Sequence, residues 1–204
     1  RIHRPGGCAI GVRLIHFHLQ GLEKLGARVE ERFGVIEVTC AQRLQGNKIH
    51  LDYPSVGATE NLVMAATLAK GETEIHNVAQ EPEVVDLCKF LTLAGAQIDG
   101  IGSSVLRIQG VPSLKAVEYL PTSDRISAGT YLASAAITKG EIFLQDVDTS
   151  VMTLVLEKLE EMGCSLEVGK NSIHLKAPER LKPVHIQTQP YPGFPTDLQP
   201  IFMA

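Results

Sequence analysis

A thiol set among glycines, two carboxylates placed ahead of apolar runs and a pair of imidazoles are the side chains of this sequence best suited to chemistry. Cys8 lies in "RPGGCAIGVR", residues 4–13, with Gly6, Gly7 and Gly11 around it and Arg4 and Arg13 on either side. Glycines let a backbone move and approach a ligand closely, and nearby cations favour the thiolate over the thiol. A lone cysteine also reads as a small buried hydrophobe, and that reading suits Cys40, Cys88 and Cys164, which sit in or beside helix and strand patterns.

Asp197, in "GFPTDLQ", and Asp124, in "SDRISAG", occupy similar places one repeat apart. Each is either a helix cap or a base held near an anionic substrate. "PSVGATEN", residues 54–61, reads as a loop whose backbone N–H groups open a helix, which suits an anion and equally an ordinary first turn. His16 and His18 form an i, i+2 pair with no third ligand nearby, which favours two surface imidazoles over a metal site.

The elements that must position these groups repeat along the chain. Three helical segments close on Gly26, Gly95 and Gly163, spaced by 69 and 68 residues, and each is followed by alternating strands. A second element recurs in phase: "SVGATENLVMAATLAKGETEIHNV" and "DRISAGTYLASAAITKGEIFLQDV" place Gly71 and Gly140 69 residues apart, and Val78 and Val147 likewise. The unit is an apolar helix, a Lys-Gly cap, a strand, a second helix and a β-hairpin. "VIEVT", "VLRIQ" and "SIHLK" alternate apolar and polar residues, as a sheet packed on one face does. "NLVMAATLA" and "GTYLASAAI" are apolar nearly all round, which predicts helices inside and sheets outside.

At 204 residues and 22.1 kDa the chain exceeds the common single-domain size, so two domains or parts of two are expected, with a crossing at "PTSDR", residues 121–125. Hydrophobic residues at 44% and charged residues at 21% are globular values. The stretch from Ile126 to Thr138 is too short to span a bilayer. A net charge of −4 without a basic cluster leaves no electrostatic footprint for nucleic acid. The cysteine spacings give neither a zinc set nor a C-x-x-C pair, which fits a reducing cytosol. A start without methionine and an end inside an unfinished apolar pattern predict an internal fragment.

The segments "PGGCAIGVR", "GLEKLGA", "PSVGATENLVMAATLAKGETEIHNVAQEPEVVD", "LPTSDRISAGTYLASAAITKG" and "PGFPTDLQP" run the length of the chain. In that order and combination the sequence strongly resembles the UDP-N-acetylglucosamine 1-carboxyvinyltransferases, which are enolpyruvyl transferases. The resemblance implies an α/β fold of repeated βαβαββ-like units forming an inside-out barrel, with two similar domains each only partly present. Residues 1–121 would be the later part of the cysteine-loop domain and 122–204 part of the second, with the active site in the cleft between them. It also implies phosphoenolpyruvate and UDP-N-acetylglucosamine as substrates, no metal or organic cofactor, and a cytoplasmic location, or the plastid stroma in a plant or alga.

The implied reaction is addition followed by elimination, which needs an acid beside C3 of phosphoenolpyruvate, a base beside the sugar hydroxyl and cations around the anionic groups. By the resemblance, Cys8 is the proton donor, can form an adduct with phosphoenolpyruvate and is the site alkylated by fosfomycin. Asp197 is the favoured base. Arg13 and Ile15 belong to the run that binds the UDP-sugar, Ser55, Val56 and Gly57 line the diphosphate, and Asp124 lies at the domain crossing. Leu14 and His16 stand where the family has a proline and an aspartate that hold and read the uracil, which predicts weakened nucleotide affinity. Ser127 stands where a glutamate is common, and Tyr53 where some members have a lysine. The family's N-terminal Lys and Asn and its C-terminal arginines have no counterpart here, so the segment alone is expected to turn over poorly. Two rival readings are a truncated, non-catalytic homologue and the shikimate-pathway enolpyruvyl transferase, which lacks a glycine-flanked cysteine loop.

Overall fold

A computed structural model of the chain describes residues 1–3 and 15–204. It contains two compact units, Arg1–Tyr119 and Leu120–Ala204. The first runs β1 (Ile2–His3), α1 (His16–Lys24), β2 (Arg28–Arg32), β3 (Val35–Thr39), β4 (Lys48–His50), α2 (Val56–Thr67), β5 (Glu72–His76), α3 (Pro82–Leu93), β6 (Gln97–Asp99) and β7 (Val105–Gln109). Its strands form an antiparallel sheet ordered β1-β3-β2 and a four-stranded sheet ordered β4-β5-β7-β6, in which only β4 and β5 are parallel. The second unit runs α4 (Arg125–Ile137), β8 (Glu141–Gln145), α5 (Thr153–Glu161), β9 (Ser165–Val168), β10 (Ser172–Lys176) and α6 (Gln199–Met203), with an antiparallel sheet ordered β8-β10-β9.

The sequence repeat is a structural repeat: α2-β5-α3-β6-β7 in one unit matches α4-β8-α5-β9-β10 in the other. Gly26, Gly95 and Gly163, just past α1, α3 and α5, have φ of +91°, +107° and +97°. That left-handed conformation ends a helix with little strain only where no Cβ is present. Asn77 and Asp146, just past β5 and β8, both have φ of 56°, a second recurrence carried by residue types that tolerate this region. The Lys-Gly caps differ. Past α2, Gly71 takes the positive φ of 87°, whereas past α4 it is Lys139, at 56°, because α4 extends one repeat position farther.

In the first unit Leu62, Val63 and Ala66 of α2 pack on Ile75 of β5 and on Leu106 and Ile108 of β7, all essentially inaccessible. In the second, Leu132 of α4 and Leu159 of α5 meet Ile173 and Leu175 of β10. Glu74 and Arg107 lie on the other face of the four-stranded sheet, paired at 3.0 Å. This is helices within and sheets without, with some apolar residues of the α2 and α4 segments still accessible. Met64 and Leu68 are 46% and 44% exposed, and Tyr131 and Ile137 are 61% and 53% exposed. A helix laid on one sheet buries one flank; these residues stay partly exposed among the described residues. The cysteine expectation holds for Cys88 and Cys164, whose thiols burial pushes up, Cys88 to about 11. It fails for Cys40, which is exposed just past β3 and donates to the Gln42 carbonyl.

Candidate active site

The first turn of α2 is built by Ser55. Its backbone is extended (φ −78°, ψ 120°) and its Oγ accepts the Ala58 N–H at 3.4 Å. That satisfies one of the donors a helix leaves open at its start. The N–H groups of Val56 and Gly57 are left with no acceptor among the described residues.

Helix α1 is laid against this turn through a contact that requires glycine. A Cβ on Gly21 would lie 2.4 Å from Cδ2 of Leu62. One turn earlier, at i−3, His18 rests on the start of α2: a Cβ on Gly57 would lie 3.4 Å from its Cε1 and 3.7 Å from its Nε2. Asn61 Nδ2 is 2.6 Å from His18 Nδ1. Burial lowers the pKa of His18. The surface-imidazole reading is therefore corrected for His18, which is half-buried and partnered, while His16 packs on Phe17 with ring centroids 4.0 Å apart. Ile15 is the cap residue of α1, its carbonyl accepting the Leu19 N–H at 3.2 Å. A cavity of about 560 Å³ opens between α1 and β4, with Phe17, Gln20, His50 and Asp52 in its wall. Cys8, Arg13 and Leu14 lie outside the described residues.

In the second unit the two aspartates are unlike. Asp124 caps α4, its Oδ1 accepting the N–H groups of Ile126 and Ser127 at 2.8 and 3.1 Å and its Oδ2 the Ser127 hydroxyl at 2.6 Å. The Ser127 hydroxyl above all, with the two backbone donors, holds its carboxyl below the usual carboxylate range. Asp124 stands one repeat after Ser55, so the two caps are one structural position filled by two chemistries. Asp197 lies in a 3-10 turn, Thr196–Leu198, makes no cap, and is exposed with no hydrogen-bond or ion-pair partner among the described residues. The turn is anchored by Leu198, fully buried against α4, where a Cβ on Gly129 would lie 2.6 Å from its Cδ1.

Ser55, Val56, Gly57 and Ile15 thus belong to the first unit, and Asp124 and Asp197 to the second. Sequence reasoning missed Asn61 and the role of His18. Gly21, alone inside a helical pattern, was the signal that a neighbour approaches there. Among the described residues no three His, Cys, Asp or Glu side chains gather as metal ligands, and no helix is long and apolar enough to cross a membrane.

Two solved structures share this architecture and define the class of fold. The enolpyruvyl transferase NikO from Streptomyces tendae superposes with a TM-score of 0.77 at 22% identity, over 92% of this chain and 47% of that one. An EPSP synthase from Acinetobacter baumannii gives a TM-score of 0.64 at 23% identity, over 86% of this chain and 42% of that one. The chain belongs to the EPSP synthase (3-phosphoshikimate 1-carboxyvinyltransferase) family, whose model matches residues 1–204. Among curated relatives, UDP-N-acetylglucosamine 1-carboxyvinyltransferase 1 of Symbiobacterium thermophilum is 54% identical over 204 residues, all of this chain and 46% of its own length. UDP-N-acetylglucosamine 1-carboxyvinyltransferase 2 of Carboxydothermus hydrogenoformans is 50% identical over 206 residues, all of this chain and 49% of its own length. The chain spans about half the length of the curated relatives it matches.

Proposed function

We propose that the chain supplies part of the active site of an enzyme that transfers enolpyruvyl from phosphoenolpyruvate to the 3-hydroxyl of UDP-N-acetylglucosamine, the first committed step of peptidoglycan synthesis, in the cytoplasm. The observation that carries this reading is the agreement of relatives about half identical over the whole chain, all bearing the name of that activity.

In this reading the Cys8 thiol gives its proton to C3 of phosphoenolpyruvate, leaving C2 cationic. The sugar oxygen bonds to C2 as Asp197 takes the hydroxyl proton. The Cys8 thiolate then takes a proton back from C3 as the C2–O bond to phosphate breaks, which regenerates the double bond, and the proton held by Asp197 leaves with the phosphate. The uncommitted carboxylate of Asp197 supports its assignment as base, and the fully engaged one of Asp124 supports a supporting role for that residue. The open N–H groups of Val56 and Gly57, at the positive end of α2, suit the diphosphate. Arg13 and Ile15 are assigned to the UDP-sugar by the resemblance, and Ile15 is the cap residue of α1.

The test is a chimera in which these 204 residues replace the matching span of the Symbiobacterium thermophilum relative. Phosphate release that requires both phosphoenolpyruvate and UDP-N-acetylglucosamine is expected. A folded chimera that releases no phosphate with that pair contradicts the proposal.

A further inference from the structure

We propose that Tyr191 is a positioning residue for Asp197: its ring, held by the Arg125 guanidinium at the start of α4, fixes the loop that carries the carboxylate. The inference rests on the reading of Asp197 as the base that takes the sugar hydroxyl proton, and it names what keeps that base in place.

Asp197 is exposed and has no hydrogen-bond or ion-pair partner among the described residues, so the backbone that carries it sets where its carboxylate stands. That backbone is anchored by Leu198, lodged against Gly129 of α4, and by Phe194, whose ring meets Phe202 edge-on with centroids 5.1 Å apart. Upstream the segment closes on itself. The Gln189 N–H donates to the Phe194 carbonyl at 3.1 Å, and the Gly193 N–H to the Pro190 carbonyl at 2.8 Å. A Cβ on Gly193 would lie 2.5 Å from that of Gln189, so the loop is closed tightly enough to need glycine there. A shift of its tip is therefore passed on to Phe194 and to the turn beyond it.

Tyr191 is at that tip, and the Arg125 guanidinium lies 5.8 Å from its ring centroid. A guanidinium over a phenol ring is attracted by the negative face of the ring. Arg125 and Gly129 are i and i+4, on one face of α4. One helix face thus grips the segment twice, at Tyr191 and at Leu198, and Asp197 adjoins the second grip. The start of α4 is itself held by Asp124, whose carboxylate accepts the Ile126 and Ser127 N–H groups. The committed aspartate thereby fixes the arginine, the arginine the tyrosine, and the tyrosine the loop of the uncommitted one.

The test uses the chimera with the Symbiobacterium thermophilum relative. Tyr191→Leu removes the ring face and should lower kcat about tenfold to a hundredfold, the scale of a small misplacement of a reacting group, with KM for phosphoenolpyruvate little changed. Tyr191→Phe keeps the ring and should recover most of the rate. The step assigned to Cys8, read as its adduct with phosphoenolpyruvate, should form at the parent rate in Tyr191→Leu, a result that general loosening of the protein would not give. Tyr191→Leu at the parent kcat, Tyr191→Phe as slow as Tyr191→Leu, or an adduct slowed as much as turnover overturns the inference and leaves Asp197 as the base. Asp197→Asn with parent turnover overturns the base reading, and the inference with it.

Discussion

The Ser127 hydroxyl donates to Oδ2 of Asp124 at 2.6 Å while Oδ1 of the same carboxylate accepts two backbone N–H groups. Both oxygens are committed to starting α4. Ser127 is part of the cap, one turn along the helix from the residue it supports.

Asp124→Ala is therefore expected to destabilise the second unit by about 1 kcal/mol, the usual worth of an N-cap, and Ser127→Ala by a smaller amount. The acid limb carries a sign. The folded-state carboxyl lies below its ordinary value of 3.8, so its contribution is present above that pH and is lost as pH falls through the lowered pKa. Urea unfolding across this range should show a drop in the parent that Asp124→Asn lacks.

Glu74 gives a second acid-sensitive point, on the outer face of the β4-β5-β7-β6 sheet. His76 first, then Lys48 at 3.2 Å and Arg107 at 3.0 Å, hold its carboxyl down to about 2 from an ordinary 4.5. Its contribution is present above 4.5 and is lost as pH falls towards 2. In Glu74→Gln the part of the acid destabilisation in that window should disappear, measured by melting temperature against pH in low salt, and high salt should shrink the difference.

Much of the fold was legible because it is written locally. Helix ends that need a left-handed residue put glycine at 26, 95 and 163, and the spacings of 69 and 68 residues make the repeat visible without any structure. Asn77 and Asp146 carry the same information through residue type, with a weaker signal than glycine. The site was legible only in part. Ser55, Val56 and Gly57 announce a helix start, but Asp124 and Asp197 have the same local signature. Only the placement of hydroxyl and backbone donors around one of them separates a cap from an uncommitted base. The His18–Asn61 pair was beyond reach, since 43 residues part its members and no periodicity couples α1 to α2.

Gly21→Ala probes that coupling. Its Cβ would meet both Leu62 methyls at 2.4 and 2.5 Å, so α1 must lift from α2, at about 1–3 kcal/mol for overpacking. Leu62→Ala alone should cost about 2–5 kcal/mol through a cavity. The double variant should be less destabilised than the two added together, by about 1 kcal/mol or more in a double-mutant cycle. Strict additivity would mean that the helices do not meet through this pair.

The proton given to C3 tests the central claim most directly. Run in heavy water, the chimera with the Symbiobacterium thermophilum relative should release an enolpyruvyl product bearing solvent deuterium at C3, and Cys8→Ala should lose turnover with the fold intact. Full turnover by Cys8→Ala, or product free of deuterium at C3, would contradict the account.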